Sequence, residues 1–324
     1  MSKYRIALLP GKEDGVSVLQ TALEILESLE LNAEYIWIDK DFKNIENFKK
    51  NLEKMKSTSC ALSAPHSFFD PLNSFHPIEK IKEIFALPTH CYFFKAFLAA
   101  KSSFAGIVYQ NLPKTFSLSP ISDNLRNILE YQYPQMSYFA NHKKEDIVAN
   151  LTLNTKSHFS DMVERACRIA LQYGFHQAFI IQEEEWKSSV VQDALKIAAN
   201  FPSLNTKIIT KQQACQKVMQ AMESPDIFLG NPCFAQTMSY CYDSLKTGFS
   251  ASMDIGKNYA LFMPMEGNGI NIGVFLAVFM LLQHLGENAK KKQLHDSLEK
   301  FLHEDPAYLS FLETSKKSLH VPLI

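Results

Sequence analysis

Two segments of the chain carry side chains that could take part in catalysis or ligand binding. His90 and Cys91 are adjacent, and a histidine can activate a cysteine thiol for nucleophilic attack when the two side chains meet. Adjacency in the sequence does not establish that contact, so we favour a buried thiol. Glu183 begins a run of three glutamates, which is either a solvated loop or the acidic edge of a cleft. Neither feature identifies an activity by itself.

A glycine-rich segment could be mistaken for a nucleotide-binding loop. Residues 267–273 read Gly-Asn-Gly-Ile-Asn-Ile-Gly, which lacks the G-x-G-x-x-G spacing that brings a backbone close to a pyrophosphate. We interpret the segment as a tight turn before a buried helix. The apolar run that follows, residues 274–282, has nine residues, about half of what a membrane-spanning helix requires.

The composition is that of a folded protein with little net charge. Of 324 residues, 33 are Lys or Arg, 34 are Asp or Glu, and 46% are hydrophobic. A nucleic-acid-binding protein would be expected to have a markedly basic face, so we expect no nucleic-acid partner. The six cysteines are widely spaced, which indicates reduced thiols. Because the N-terminus also lacks the apolar region of a signal peptide, we expect a cytoplasmic protein without a membrane segment.

Strand-like and helix-like segments alternate along the chain. Short apolar runs predict strands at residues 5–9, 35–38, 60–62, 105–108, 178–181, 206–209, 227–229 and 260–262. Helical spacing of apolar residues predicts helices at 16–29, 78–85, 190–199 and 214–222, a helix capped by Asp161 and ended by Gly174, and mainly helical structure up to residue 301. Strands separated by helices indicate an α/β protein with a mainly parallel sheet and flanking helices.

Short motifs spread along most of the chain carry a family resemblance. They read Arg-Ile-Ala-Leu-Leu-Pro-Gly at residues 5–11, Phe-Ala-Gly-Ile-Val-Tyr-Gln-Asn at 104–111, Ser-Met-Asp-Ile-Gly at 252–256 and Ala-Leu-Phe-Met-Pro at 260–264. In this order they resemble the opening strand, the Arg-Glu-Asn strand, the Ser-Ala-Asn-Ile-Gly segment and the Ala-Leu-Phe-Glu-Pro segment of the isocitrate/isopropylmalate dehydrogenase family. Weaker matches lie at residues 151–155, 225–231 and 284–286.

The resemblance implies the two-domain α/β fold of that family. By the family's chain path, residues 1–98 and 245–324 would form the first domain, on the nucleotide-binding side, and residues 99–244 the second. Residues at about 111–142 are rich in aromatic side chains and proline, and they form either an extended arm that contacts a second subunit or a long excursion of the chain. Because the family builds its active site across a subunit interface, we expect a homodimer.

The resemblance also implies a chemistry, which can be tested position by position. Family members oxidise a 2-hydroxy dicarboxylate with NAD or NADP and decarboxylate the product with Mg²⁺ or Mn²⁺, which three Asp carboxylates hold. Here those positions align with Gln212, Ala235 and Ser239, and the proton-transferring Lys aligns with Glu183. None of the three metal positions keeps a negative charge, so we predict no metal site.

The substrate and cofactor positions of the family have changed as well. Two Arg residues that clamp substrate carboxylates align with Lys95 and Tyr109, and Asn111 is the surviving member of its turn. The cofactor loop has Glu266 and Gly267 where the family has His-Gly, and only Asn271 matches the Asn that contacts adenine. The changed residues predict that the chain uses no nicotinamide cofactor.

Two hypotheses about function follow from these changes. The first is a degenerate member of the family that lacks metal-dependent oxidative decarboxylation and has a binding, regulatory or subunit-interaction role. The alternative is an NAD(P)-dependent or otherwise altered enzyme that acts on a small 2-hydroxy acid, with Lys95, Asn111 and Glu183 as polar residues of the cleft. A small anionic ligand bound in the cleft would favour the alternative.

Overall fold

The structure of the protein is a computed structural model that divides into two compact units. It describes residues 2–11, 15–39, 45–65, 77–96, 103–110, 116–118, 122, 124, 127–128, 131, 143, 149–151, 156–182, 188–220, 226–232, 234–235, 237–238, 248–265 and 272–304. The larger unit comprises Met1–Asn111 with Ser160–Ile324, and the smaller unit comprises Leu112–Phe159.

Strands and helices alternate along most of the chain. The strands are β1 (Tyr4–Leu9), β2 (Ala33–Trp37), β3 (Cys60–Ser63), β4 (Thr89–Ala96), β5 (Ser103–Gln110), β6 (Phe116–Leu118), β7 (Ala149–Leu151), β8 (Gln177–Gln182), β9 (Asn205–Thr210), β10 (Asp226–Leu229), β11 (Gly248–Ile255) and β12 (Ala260–Pro264). The helices are α1 (Gly15–Ser28), α2 (Ile45–Lys56), α3 (Pro77–Ile84), α4 (Lys156–Gln172), α5 (Ser188–Ala198), α6 (Lys211–Gln220), α7 (Ile272–His284) and α8 (Asn288–Glu304).

Ten of these strands form one sheet in the order β2-β1-β3-β12-β11-β4-β5-β10-β8-β9. The first four run parallel to one another, and so do the last four. Strands β11 and β4 lie between these groups and pair antiparallel with each other and with their outer neighbours. The two parallel groups therefore run in opposite directions, and the carboxyl ends of β5, β10, β8 and β9 lie at the edge where β4 begins.

Burial on both faces explains the local sequence of the parallel strands. Residues 6–9 of β1 and 178–181 of β8 are all fully buried, as expected for strands that helices cover on both sides. Helix α7 is apolar around most of its circumference, and Val274, Ala277, Val278 and Leu281 are fully buried or nearly so. The buried helix predicted at residues 274–282 is confirmed. No helix in the described part of the chain is both long and apolar enough to cross a membrane.

The predicted α/β class and mainly parallel sheet are confirmed, with differences in single elements. Helix α4 begins at Lys156, so Asp161 lies inside the helix and is not its cap. Gly174 does end this helical region, with a φ of 77° that glycine adopts without strain. The sequence did not predict helix α2 or the two central strands, β4 and β11.

The smaller unit contains a short two-stranded sheet. Strand β6 pairs antiparallel with β7, with Phe116 opposite Leu151. The arm predicted at about residues 111–142 falls mostly within this unit, but β7 lies beyond the predicted end. A two-stranded sheet is marginally stable on its own, so we expect the unit to depend on further packing.

The predicted domain boundary stays a prediction. Strands from residues 1–98 and 245–324 and strands from residues 99–244 join the same ten-stranded sheet. A continuous sheet does not by itself divide the larger unit into two domains.

Candidate functional site

Three of the positions that the resemblance singles out lie near one edge of the sheet. Tyr109 lies near the end of β5, Gln212 lies in the first turn of α6 after β9, and Ala235 lies in a helical segment after β10. The carboxyl ends of β5, β9 and β10 meet at this edge. Open α/β sheets bind ligands outside the carboxyl ends of their strands, so this edge is the expected place for a site.

The strand register does not bring Lys95 and Tyr109 together. In the antiparallel pair of β4 and β5, Lys95 lies opposite Phe104, whereas Tyr109 lies opposite His90. Five residues of extended strand separate the two positions, a distance of roughly 17 Å. Lys95 therefore lies toward the other edge of the sheet, and the predicted substrate clamp of these two residues stays a prediction.

Six predicted site residues lie outside the described part of the chain. They are Asn111, Glu183, Ser239, Glu266, Gly267 and Asn271. The predictions for the proton-transfer position, the third metal position and the cofactor loop therefore stay predictions.

Ala235, at the second metal position, is part of a hydrophobic cluster. Asn231 caps its helical segment, because the Phe234 backbone N–H donates to Asn231 Oδ1 at 2.8 Å. Ala235 is fully buried. It shares its cluster with side chains from the sheet, from α6 and from its own segment, namely Phe94, Ile107, Phe179, Ile181, Ile209, Ala214, Phe228, Phe234 and Met238. A methyl group in such surroundings cannot hold a metal ion.

Gln212, at the first metal position, is exposed. It lies next to the residues that cap the N-terminus of α6. The Gln213 backbone N–H donates to Thr210 Oγ1 at 3.2 Å, and the Thr210 backbone N–H donates to Gln213 Oε1 at 3.0 Å. This reciprocal pair is a capping box, which satisfies free N–H groups at the start of α6. Within the described residues, no three His, Cys, Asp or Glu side chains form a group that could hold a metal ion. The residues at the two described metal positions do not fit Mg²⁺ or Mn²⁺.

The structure brings together a buried charge cluster that the sequence did not predict. It consists of Lys82 on α3, His90 on β4 and Asp254 on β11. His90 Nδ1 lies 2.6 Å from Asp254 Oδ1, and Lys82 Nζ lies 3.4 Å from Asp254 Oδ2. Because a carboxylate only accepts hydrogen bonds, His90 Nδ1 carries the hydrogen. The side chains of His90 and Asp254 are 3% and 2% exposed, so both polar groups depend on protein partners.

Comparison with known proteins rests on structure. No family model and no curated protein sequence matches the chain. The isocitrate dehydrogenase of Methylococcus capsulatus is similar with a TM-score of 0.72 and 13% identity, over 92% of this chain and 90% of that one. A beta-decarboxylating dehydrogenase of Thermococcus kodakarensis, in its apo form, is similar with a TM-score of 0.63 and 16% identity, over 87% and 84%.

This chain has an isocitrate dehydrogenase-like fold. The TT0538 protein of Thermus thermophilus is also similar, with a TM-score of 0.69 and 14% identity. The chain covers 59% of that protein's length, and 89% of the chain takes part in the match. At sequence identities of 13–16%, the similarity to these three proteins shows a shared fold and nothing more.

Lys82 supplies a positive charge beside the Asp254 carboxylate. Burial alone would lower the pKa of Lys82, but the negative charges of Asp254 and Glu79 outweigh burial and the pKa is raised. The carboxylate therefore has a cation beside it.

Cys91 does not form a nucleophilic pair with His90. Successive side chains of a strand point to opposite faces, and His90 is bonded to Asp254. Burial, reinforced by the nearby Asp254 carboxylate, raises the pKa of the Cys91 thiol well above its ordinary value. A thiol in such surroundings is unreactive, and Cys91 is fully buried, as the sequence predicted.

Two local signals could have revealed the buried charge cluster. Residues 250–254 alternate polar and apolar side chains, the pattern of a strand with unlike faces. Lys82 follows Ile78 by four residues, which places it on the buried side of α3. Neither signal says that these two elements meet.

Proposed function

We propose that this protein is a non-catalytic relative of the isocitrate/isopropylmalate dehydrogenases with a binding, regulatory or subunit-interaction role. One observation supports the proposal more than any other. Ala235, where the resemblance places a metal carboxylate, is buried among Phe179, Phe228 and Phe234. Metal-dependent decarboxylation needs a charged, hydrated pocket at that point, and an apolar cluster occupies it instead.

We predict that the protein neither binds Mn²⁺ or Mg²⁺ at physiological concentration nor reduces NAD or NADP with isocitrate or isopropylmalate. Mg²⁺ keeps several waters and is held by carboxylates together with substrate oxygens, and neither Gln212 nor Ala235 supplies a carboxylate. Calorimetry with Mn²⁺ tests for metal binding. Absorbance at the reduced-nicotinamide band tests for reduction of NAD or NADP. Micromolar metal binding together with turnover would overturn the proposal and favour the altered-enzyme alternative.

A thermal-shift screen with NAD, NADP, Mg²⁺ and 2-hydroxy dicarboxylates detects ligands that bind without turnover. A ligand that binds only the folded state at a hundredfold excess over its dissociation constant stabilises the protein by about 2.7 kcal/mol. A shift with a dicarboxylate alone would identify the small anionic ligand and would favour the altered-enzyme alternative.

We propose further that the protein acts as a homodimer through the smaller unit, in a reducing cytoplasmic compartment. Ile128 and Tyr131 lie three positions apart in that unit and are 53% and 89% exposed. Exposed aromatic side chains of this kind are enriched at protein interfaces. Cys60, Cys91 and Cys167 are free, buried thiols, which supports a reducing compartment.

We predict that Tyr131→Asp weakens the dimer. Placing a charge at the centre of an apolar contact should raise the dimer dissociation constant by about 30-fold or more, the change that corresponds to about 2 kcal/mol. Sedimentation equilibrium measures the constant. The matched control is Val16→Asp, which changes a 39% exposed residue of the larger unit. Only monomer in the unaltered protein at micromolar concentration would contradict the prediction.

A further inference from the structure

Strand β2 forms one edge of the ten-stranded sheet, and among the described residues it pairs only with β1. The Ile38 N–H donates to the Leu8 carbonyl at 2.9 Å, and the Asn32 carbonyl accepts from the Tyr4 N–H at 3.2 Å. Even-numbered residues along β2 therefore direct their backbone groups toward β1. Because these groups alternate between the two sides of a strand, the odd-numbered residues direct theirs away from the sheet.

The outward backbone groups are already bonded at both ends of this edge. At one end the Ala33 N–H donates to the Leu31 carbonyl at 2.8 Å. At the other end the Asp39 N–H donates to Asn51 Oδ1 at 3.2 Å, and Asn51 Nδ2 donates to the Asp39 carbonyl at 2.9 Å. The buried Asn51 amide thus takes the place that a further strand would occupy, and the edge ends there.

Between these ends, Tyr35 and Trp37 form an open edge. No hydrogen bond within the described part of the chain reaches their outward N–H and carbonyl groups. The Trp37 side chain is 40% exposed and lies on the same face as Tyr35. Native edge strands are commonly protected by charged residues or proline. Glu34, the charged residue of β2, is instead paired with Arg5 of its own chain at 2.9 Å.

The open edge is complementary to a second copy of itself. When two β2 strands pair antiparallel about a two-fold axis at Ile36, Tyr35 of each chain lies opposite Trp37 of the other, and each such pair exchanges two hydrogen bonds. The four bonds use every outward group of Tyr35 and Trp37. An axis at Tyr35 would instead place Trp37 opposite Ala33, whose N–H is already bonded.

The side chains fit the same register. Tyr35 and Trp37 would meet across the axis as two aromatic pairs, which stabilise antiparallel strands. The two Ile36 side chains would meet on the other face, where Ile36 already packs against a hydrophobic cluster of the sheet and α2. The opposite edge strand, β9, carries the exposed Lys207, a charge that discourages its pairing with β2. This difference favours a closed pair of molecules over an open chain of them.

We propose that β2 is an interaction surface for a second copy of this chain, and that antiparallel pairing of the two β2 strands joins both sheets into one. Two residues of each strand form the bonds, far fewer than the roughly 20–30 residues on each side of a stable complex. The contact is therefore weak and forms at high protein concentration. The inference depends neither on the proposed loss of catalysis nor on the proposed dimer through the smaller unit.

Disulfide trapping of Ile36→Cys tests this register. Opposite residues at a non-hydrogen-bonded position have Cα atoms about 4.5 Å apart, a separation that a disulfide bridges. Oxidised glutathione should therefore link two chains through position 36. Glu34→Cys is the matched control, because position 34 lies two residues from the axis in each chain, which separates its two copies by roughly 13 Å. A gel without reductant should show at least about tenfold less covalent dimer for Glu34→Cys, with the unaltered protein as background.

Sedimentation equilibrium provides a second measurement that needs no new cysteine. It is made in the Tyr131→Asp background, so that the proposed contact through the smaller unit does not contribute. There Trp37→Lys should raise the dimer dissociation constant by about tenfold or more, because a charge replaces an aromatic contact at the strand edge. The matched control is Leu171→Lys, which changes a 39% exposed residue of α4 and should have less than about a twofold effect.

Equal disulfide yields at positions 36 and 34, or equal effects of Trp37→Lys and Leu171→Lys, would overturn the proposal. So would a Tyr131→Asp protein that stays monomeric at every concentration, which would leave the edge to an extended segment of another protein. If Ile36→Cys does not fold, the sedimentation result decides. Loss of the contact through the smaller unit should not change the disulfide yield at position 36, so the two proposals fail separately.

Discussion

Ala235→Asp is expected to lower the free energy of unfolding by about 3–5 kcal/mol and to restore no metal binding. The new carboxylate would enter a fully buried position surrounded by apolar side chains. An ionised carboxylate without a partner in such a place carries a large desolvation penalty, and it escapes part of that penalty only by taking up a proton. The loss should therefore be larger at pH 8 than at pH 5.

Urea denaturation of the purified variant measures this loss, with and without Mn²⁺. Gln212→Asp is the matched control, because it introduces the same charge at the exposed first metal position and should change stability by no more than about 0.5 kcal/mol. A different result would be informative. If Ala235→Asp were tolerated, and if Mn²⁺ then stabilised it, the helical segment after β10 would have to open into a metal-binding cleft.

Lys82→Met is expected to lower the free energy of unfolding by about 3–5 kcal/mol, because it leaves the buried Asp254 carboxylate without its ammonium partner. Lys82→Met/Asp254→Asn should cost less than the sum of the two single changes, since no buried charge then lacks its partner. The thermodynamic cycle should give a coupling energy of about 1.5–3 kcal/mol between two residues in direct contact. Urea denaturation of the unaltered protein, the two single variants and the double variant gives the four free energies of unfolding that the cycle requires.

The exposed pair of Lys80 and Glu83, on the same helix as Lys82, provides the control for this cycle. Its two side chains are 47% and 41% exposed, and exposed ion pairs contribute about 0.2–1 kcal/mol. If Lys82→Met cost no more than Lys80→Met, the buried charge cluster would have no special part in holding α3.

Local sequence patterns predicted the outer parts of the sheet well. Strands β1, β3, β8 and β10 are short continuous apolar runs between helices, and that pattern arises because helices cover both of their faces. The helix at residues 274–282 was predictable for the same reason, since a segment apolar on every side has to be buried. Strand β11 escaped prediction because Ser250, Ser252 and Asp254 interrupt its apolar residues, so it lacks the continuous apolar run by which the other strands were recognised.

The candidate site was predictable only in its chemistry. The sequence showed that Gln212 and Ala235 carry no charge, and that conclusion required no coordinates. It did not show that Ala235 packs among aromatic side chains, because those side chains come from three separate strands and from the helical segment after β10. It also grouped Lys95 with Tyr109, which the register of β4 and β5 places at different edges of the sheet.

The sequence by itself therefore determined the α/β class, the buried helix α7 and the absence of carboxylates at the aligned metal positions. Each of these depends on residue types at neighbouring positions along the chain. Only the tertiary structure decided which charged residues meet. Asp254 is 164 positions from His90, and the antiparallel register of β4 and β11 alone makes them neighbours. Pairing between distant strands is chosen by the packing of the whole sheet, so no local pattern could specify that contact.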